Sequence, residues 1–229
     1  KMFSGHREYN VFCFSDQVVD GDHSMRLERA ESPEACEDFI PDLSGMSGFS
    51  EVCDRVQVFV CGSSFSANYT LGLLQQVRDK EIEVFYIKPD TQLLIGEVKL
   101  QERAIFRILQ EYARSGLLRS LTILSNPELE KIIGQVPIKK FFQTINNTIY
   151  YVVHYLNFFE HTEPIIGNLT APSEVQRVRS IGQIDVGTLQ ERWYYTLDND
   201  RDTCYYLCIS TERLENDGQL HSNIVESLK

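Results

Sequence analysis

The run RVQVFVC at residues 55–61, the turn GSSFSA at 62–67 and the run EIEVFYI at 81–87 decide the fold of this chain. Both runs are rich in β-branched and aromatic residues and have the length of buried strands. Between them, the small residues of the turn lead into a helix predicted over 68–79. A strand, a helix and a second strand in this order predict two parallel strands with the helix packed across them.

The same alternation of strands and helices extends outward in both directions. Further strands are predicted at Tyr9–Ser15 and Leu118–Leu124, and further helices from Ser32, at Leu100–Ser115, at 126–134 and at Ile138–Phe159. Apolar residues recur every three or four positions in the two long helices, as in helices that cover a sheet. The sequence therefore predicts an α/β fold, with a mostly parallel sheet, helices on both faces and a long central helix.

The pattern of predicted elements changes after residue 160. A helix is predicted at Ser173–Ile181, strands at Gln183–Thr188, Arg192–Leu197 and Thr203–Ser210, and a partly helical end over 211–228. These elements predict part of a smaller α+β domain. The expected division is an α/β domain over residues 1–137, the central helix over 138–160 and the C-terminal domain over 161–229.

Charge and composition argue against several classes of function. The chain has 229 residues and a formal net charge of −11, which opposes contact with nucleic-acid phosphates. No apolar run approaches the roughly 20 residues that span a bilayer. We therefore expect no direct nucleic-acid binding, no membrane insertion and a cytoplasmic location.

The six cysteines give no sign of a metal site, because no two of them form a C-x-x-C pair. Cys13, Cys61, Cys204 and Cys208 lie in apolar runs, where free cysteine behaves as a small hydrophobic residue. This favours reduced cysteines in the core over disulfides, which stay as the alternative.

Three motifs fall at the carboxyl ends of predicted strands, where parallel sheets bind ligands, and a fourth lies on a helix. The first is CGSSFSA at 61–67, and the second is IKP at 87–89. The third, LTILSN at 121–126, ends the next strand and opens a short helix. The fourth lies at the start of the central helix, where Phe142 and Asn146 are four residues apart and share one helix face.

In their order and spacing these motifs resemble the tubulin/FtsZ superfamily, over about residues 56–179. Tyr9–Asp16 is similar to the family's second strand, so the first strand and first phosphate loop are expected upstream of residue 1. The resemblance implies a protein that binds GTP or GDP, with Mg²⁺ carried by the nucleotide, and that self-assembles head-to-tail into filaments. It implies nucleotide contacts from Gly62, Ser63, Ser64, Ser66, Lys99, Asn126, Phe142 and Asn146, with Phe142 stacked on guanine and Asn146 bonded to its edge.

The phosphate loop departs from the family pattern, which is G-G-G-T-G-S-G. This chain has a single glycine there, Gly62. A phosphate loop needs glycine so that its backbone N–H groups approach the phosphates. The serines still offer hydrogen-bond donors, but we expect this loop to bind phosphate less well than a glycine-rich loop.

In the family, the loop needed for hydrolysis has the pattern N-x-D-x-x-D and completes the active site of the neighbouring subunit. This chain departs from that pattern as well. Asn168 matches, but Thr170 and Ser173 stand where the carboxylates belong. An alternative alignment uses Asp185, and Thr188 then replaces the second carboxylate. A hydroxyl does not polarise water as a carboxylate does, so GTP hydrolysis is expected to be slow or absent.

Structural roles compete with these functional ones. Asn126 is suited to cap the helix that begins before Pro127, Phe142 to pack in the core, and Lys99 to be solvated. Gly62–Ser66 also fits an ordinary strand-to-helix turn. Asn146, beside an apolar stripe, is harder to explain without a ligand, because a buried amide needs partners.

Three functions follow from these readings of the sequence. The first is a guanine-nucleotide-binding, filament-forming protein. The second is a non-polymerising pseudo-GTPase that acts as a protein-interaction module. The third is an unrelated α/β enzyme with a Rossmann-like site, for which the sequence offers no Ser/His/Asp order, metal spacing or complete P-loop.

Overall fold

The computed structural model describes residues 3–17, 21, 23–32, 35–36, 39–43, 46, 48–49, 54–164, 170, 172–185, 187–199 and 201–227. The strands are β1 (Cys13–Ser15), β2 (Ser24–Arg26), β3 (Arg55–Cys61), β4 (Glu81–Lys88), β5 (Ser120–Ser125), β6 (Val178–Ser180), β7 (Gly182–Ile184) and β8 (Glu191–Trp193). The α-helices are α1 (Thr70–Gln76), α2 (Gly96–Ser115), α3 (Asn126–Ile133), α4 (Phe141–Glu160), α5 (Thr211–Asn216) and α6 (Leu220–Ser227). Short 3₁₀ turns cover Phe3–Gly5, Phe65–Tyr69 and Ile138–Lys140.

The main sheet has four parallel strands in the order β3-β4-β5-β6. The strand predicted at Arg55–Cys61 is confirmed residue for residue, and the strand predicted at Glu81–Ile87 extends by one residue to Lys88. Strand β4 pairs with β3 on one side and with β5 on the other. This confirms the parallel α/β sheet that the alternation of elements predicts.

Helices cover both faces of the sheet, as predicted. On one face, Val84 and Leu121 of the strands pack with Leu109 and Ala113 of α2 in one hydrophobic cluster, which Leu74 of α1 joins. The opposite face carries a second cluster, which α3 and α4 cover. Its buried members are Phe85, Leu124, Leu129, Ile145, Ile149, Val153 and Tyr194. Side chains alternate between the faces of a strand, so β4 is buried on both sides.

A polar network stands at the amino end of the sheet, on the face that α4 covers. The carboxylate of Glu83 is buried and accepts from Arg55 at 2.7 Å and from Gln57 at 3.0 Å. Arg55 also contacts Glu160, the last residue of α4, at 2.5 Å. A buried charge needs such partners, and here they tie the end of α4 to β3 and β4.

The segment after α4 differs from the prediction. Residues 173–181 are not a helix, because Val178–Ser180 forms β6 and pairs with β5 through Leu121↔Val178. The open edge of β5 offers backbone partners there, and this tertiary pairing outweighs a weak local preference for helix. Two further predicted strands are shortened to β7 and β8, and Thr203–Ser210 forms no strand with the described residues.

The amino-terminal prediction is only partly right. Of Tyr9–Ser15, only Cys13–Ser15 is a strand, and it pairs with β2 in a separate two-stranded parallel sheet. The buried-cysteine prediction is wrong for Cys13, Cys61 and Cys208, which are exposed, whereas Cys36 is buried. The five described cysteines are all free thiols, and Cys53 lies outside the described residues.

The Glu83 network predicts the effect of removing its carboxylate. We expect Glu83→Ala to lower the free energy of unfolding by about 3 kcal/mol, because Arg55 loses its buried counter-charge. Urea denaturation followed by circular dichroism measures this change.

Glu81→Ala is the matched control, since Glu81 is exposed on the same strand and contacts Arg119 at 2.6 Å. An exposed pair of this kind contributes about 0.5 kcal/mol. Equal losses in the two variants would show that Glu83 is no more important than a surface carboxylate.

Candidate functional site

The parallel strands end together at one edge of the sheet. Cys61 of β3 lies opposite Ile87, and Lys88 of β4 lies opposite Ser125 of β5. The Gly62–Ser66 loop, Pro89 and Asn126 follow these strand ends directly. This carboxyl edge therefore brings three of the four sequence motifs together.

Gly62 is held tightly against the neighbouring strand. Its N–H donates to the carbonyl of Ile87 at 3.0 Å, and a Cβ at this position would lie 2.2 Å from Oη of Tyr86 and 3.1 Å from Cδ of Pro89. A glycine is therefore required because the strands approach closely. In the loop beyond it, the hydroxyls of Ser64 and Ser66 are hydrogen-bonded to each other, and Ser63 is exposed.

A buried cluster beneath the loop was missed by the sequence analysis. The carboxylate of Glu102 is 1% exposed and accepts from Oη of Tyr86 at 3.1 Å and from Nζ of Lys88 at 3.3 Å. Phe106 completes the cluster, with its ring stacked on Tyr86 at 5.0 Å and its centroid 3.9 Å from Nζ of Lys88.

This cluster fixes the end of β4. Burial, followed by the nearby Glu102 charge, raises the pKa of Tyr86 well above its ordinary value, so its hydroxyl stays protonated and donates. The sequence held one signal, because Glu102 lies three residues before Ile105 in the stripe that continues to Leu109 and Ala113. An acidic residue on the buried face of a helix requires partners.

The structure places Asn126 at the first turn of α3, and the capping interpretation of this residue is wrong. The residue before the helix is Ser125, with extended backbone, and Asn126 is the first helical residue, followed by Pro127. Asn126 is half-buried at the carboxyl edge. A nucleotide contact from it stays a prediction.

Phe142 and Asn146 lie one turn apart at the start of α4, and both side chains are exposed. Phe142 is 73% exposed, so the core-packing alternative is wrong for it, and the neighbouring Phe141 packs against the core instead. The buried-amide argument does not apply to Asn146. It applies to Asn147, whose Oδ1 is buried without a hydrogen-bond partner among the described residues.

Two open clefts lie near these elements without including the predicted residues. One of about 370 Å³ is lined by Glu130, Gly134, Gln135, Val136, Pro137 and Phe141. The other, of about 500 Å³, is lined by residues of α3 and of β8 and the segment after it. Lys99 is half-buried in the first turn of α2, which begins earlier than the helix predicted from Leu100.

The hydrolytic-loop residues are only partly covered by the structure. Asn168 lies outside the described residues, and Thr170 and Ser173 are exposed. In the alternative alignment, Asp185 is engaged in a turn, where its Oδ1 accepts from the N–H groups of Gly187 and Thr188 and from the Thr188 hydroxyl. The geometry explains Asp185 as a turn residue.

Substituting Gly62 tests how tightly the loop is packed. We expect Gly62→Ala to destabilise the fold by about 1–3 kcal/mol, the usual cost of overpacking, because buried Tyr86 is held between Glu102 and Phe106. Gly218→Ala is the control, since a Cβ there meets nothing within 4 Å. Thermal unfolding compares the two variants, and an unchanged midpoint for Gly62→Ala contradicts the close approach.

The turn at Asp185 predicts a pH dependence. Hydrogen bonds from the Thr188 N–H, the Thr188 hydroxyl and the Gly187 N–H lower the pKa of Asp185. A lowered folded-state pKa means that the carboxylate stabilises the turn above its ordinary pKa, and that this is lost as the pH falls through the lowered value. Carboxyl chemical shifts followed by NMR titration should show that Thr188→Val raises this pKa. Thr211→Val should leave it unchanged, and an ordinary pKa in the unmodified protein would contradict the assignment.

Comparisons with known proteins leave the family open. No family model and no curated protein matches the sequence. Among solved structures, CetZ from Methanosaeta thermophila strain DSM 6194 is similar, with a TM-score of 0.46 and 13% identity over 66% of this chain. The chain spans 43% of that structure's length, and a similarity of this size supports no inference about function.

None of the described helices has the length and apolar character needed to cross a membrane. The same part of the chain holds no group of three or more His, Cys, Asp or Glu residues arranged for a metal ion.

Proposed function

We propose that this chain is a guanine-nucleotide-binding protein of the tubulin/FtsZ type that assembles head-to-tail into filaments. The observation that supports it is the parallel register of β3, β4 and β5, which gathers the Gly62–Ser66 loop and Asn126 at one edge. Ligands of open α/β sheets bind at this edge. The motifs that resemble the family therefore lie at the edge of the sheet where a nucleotide would bind.

The exposed side chains at the start of α4 suit the base of the nucleotide. Phe142 has a free ring face on which guanine would stack, and the Asn146 amide, one turn later, would bond the edge of the same base. The phosphates would lie against the loop at Gly62, whose own N–H already donates to Ile87, and would meet the hydroxyl donors of Ser63, Ser64 and Ser66. Mg²⁺ would be held by the phosphates. Lys99 and Asn126 would add contacts from their helix ends.

Binding without rapid hydrolysis is the expected behaviour. Neither Thr170 nor Ser173 carries a carboxylate, and the only aspartate of the alternative alignment, Asp185, already accepts three hydrogen bonds. A subunit that presents this loop to its neighbour would hold the nucleotide between the two. We expect such filaments in the cytoplasm.

The second candidate is a non-polymerising interaction module, and one observation favours it. Tyr151, Tyr155 and Phe158 are 54%, 52% and 52% exposed, and their spacing places them on one face of α4. Exposed aromatic residues in a row are typical of protein-binding surfaces. Pelleting with and without GTP distinguishes the two candidates, since only the filament-forming protein pellets in a nucleotide-dependent way.

Binding of a fluorescent guanine nucleotide to the purified protein tests the first candidate. We expect Phe142→Ala and Asn146→Ala each to weaken binding about 10-fold, since a stacked ring or a hydrogen bond to a base contributes about 1–2 kcal/mol. Fluorescence anisotropy measures both affinities.

Phe158→Ala is the matched control, because Phe158 is an exposed phenylalanine near the other end of the same helix. Its affinity should equal that of the unmodified protein. Equal weakening in Phe158→Ala and Phe142→Ala, or no binding by the unmodified protein at high micromolar concentration, would reject the proposed site.

A further inference from the structure

We infer that Arg29 supplies the positive charge for a phosphate chain at the Gly62–Ser66 loop, in place of the glycines that the loop lacks. The inference rests on the proposed function for its guanine nucleotide, but the phosphate-binding role itself is separately testable. Arg29 comes from a polar stretch that carries none of the sequence motifs.

The backbone on both sides of Arg29 is fixed to Tyr69, the last residue of the 3₁₀ turn Phe65–Tyr69. Tyr69, 1% exposed, donates through Oη to the carbonyl of Glu28 and accepts from the N–H of Ala30 at 3.1 Å. Leu27 is equally buried and joins Tyr69 in a hydrophobic cluster. Residues 28 and 30 are thus held by one buried hydroxyl, which fixes the position of the residue between them.

The side chain of Arg29 lies over the loop itself. Its guanidinium carbon is 4.5 Å from the centre of the Phe65 ring. Phe65 lies between Ser64 and Ser66, whose hydroxyls are hydrogen-bonded to each other. A guanidinium stacked on a ring uses its face for this contact. Its N–H donors, which lie in the plane of the group, are left for an anion.

The charges at this edge distinguish Arg29 from Lys88, the basic residue at the end of β4. Lys88 is engaged by the buried Glu102. The ion pairs within the described ranges do not include Arg29, and its side chain is exposed. In a chain of net charge −11, a polyphosphate needs a local cation to overcome the general repulsion.

The chemistry of the loop explains why a cation is needed at this place. Gly62 packs against Tyr86 and Pro89, so it is committed to the strand contact, and serine hydroxyls are neutral donors. An arginine fork bonds two phosphate oxygens at once through charge-assisted hydrogen bonds. Arg29 thereby replaces the backbone donors of a glycine-rich loop with one fixed guanidinium.

Isothermal titration with three probes tests the inference: GTP, guanosine and inorganic tripolyphosphate. Arg29→Gln should weaken GTP and tripolyphosphate about 10-fold or more and leave guanosine within about twofold. Arg29→Lys should recover part of the loss, because it keeps the charge without the fork. Arg26→Gln is the matched control, since Arg26 is an exposed arginine three residues earlier with the same change in charge.

The outcomes separate this inference from the proposed function. Tripolyphosphate binding that depends on Arg29, without guanosine binding, supports the inference and rejects the guanine site. GTP binding that is unchanged in Arg29→Gln supports the guanine site and overturns the inference. Equal losses for guanosine and GTP in Arg29→Gln, or equal losses in Arg26→Gln, overturn it as well, and no binding of any probe by the unmodified protein rejects both.

Discussion

Strand β4 needs backbone partners on both sides and apolar cover on both faces, and the remaining elements meet this demand. Its residues 82–86 are all buried, so no N–H or C=O group of this stretch has water as a substitute partner. Strands β3 and β5 supply the partners in parallel register. Because the strands run in the same direction, the loops that follow them lie at one edge of the sheet. The candidate binding residues of these loops therefore lie at that edge.

A buried carboxylate with a basic partner lies at each end of β4, Glu83 within the strand and Glu102 on α2. The two arrangements serve different purposes. Glu83 at the amino end joins Arg55 and, through it, the last turn of α4. At the carboxyl end, Glu102 holds Tyr86 and Lys88 under the loop that begins at Gly62. The first network attaches the end of α4 to the sheet, and the second supports the loop of the candidate site from below.

Local sequence patterns predict those strands and helices whose conformation depends on residues close in sequence. The β-branched run at Arg55–Cys61 favours extended backbone and forms a strand as predicted. Gly116, with φ of 86°, ends α2 because a left-handed residue is needed there. The three residues of β6 could not be predicted in this way, because the open edge of β5 decides their conformation. Phe142 was also beyond prediction, since the sequence does not reveal whether it or Phe141 faces the core.

The location of the candidate site could be predicted from the sequence, but many of its side-chain contacts could not. The rule for parallel sheets locates Gly62 and Asn126 at one edge without any coordinates. The partners of Glu102 and the position of Arg29 depend on elements that are distant in sequence. Arg29 in particular lies in a polar stretch without periodicity, and only the contacts of Tyr69 reveal where it stands.

The pairing of β6 with β5 has a consequence for how the protein is made. Strand β6 follows α4 in the chain, so the growing polypeptide exposes one edge of β5 until the whole central helix has been synthesised. During that interval the edge is a template for unwanted pairing between nascent chains. Strand β6 therefore closes this edge only after α4 has been synthesised, and a ribosome stalled within α4 would leave the edge of β5 unpaired and open to other chains.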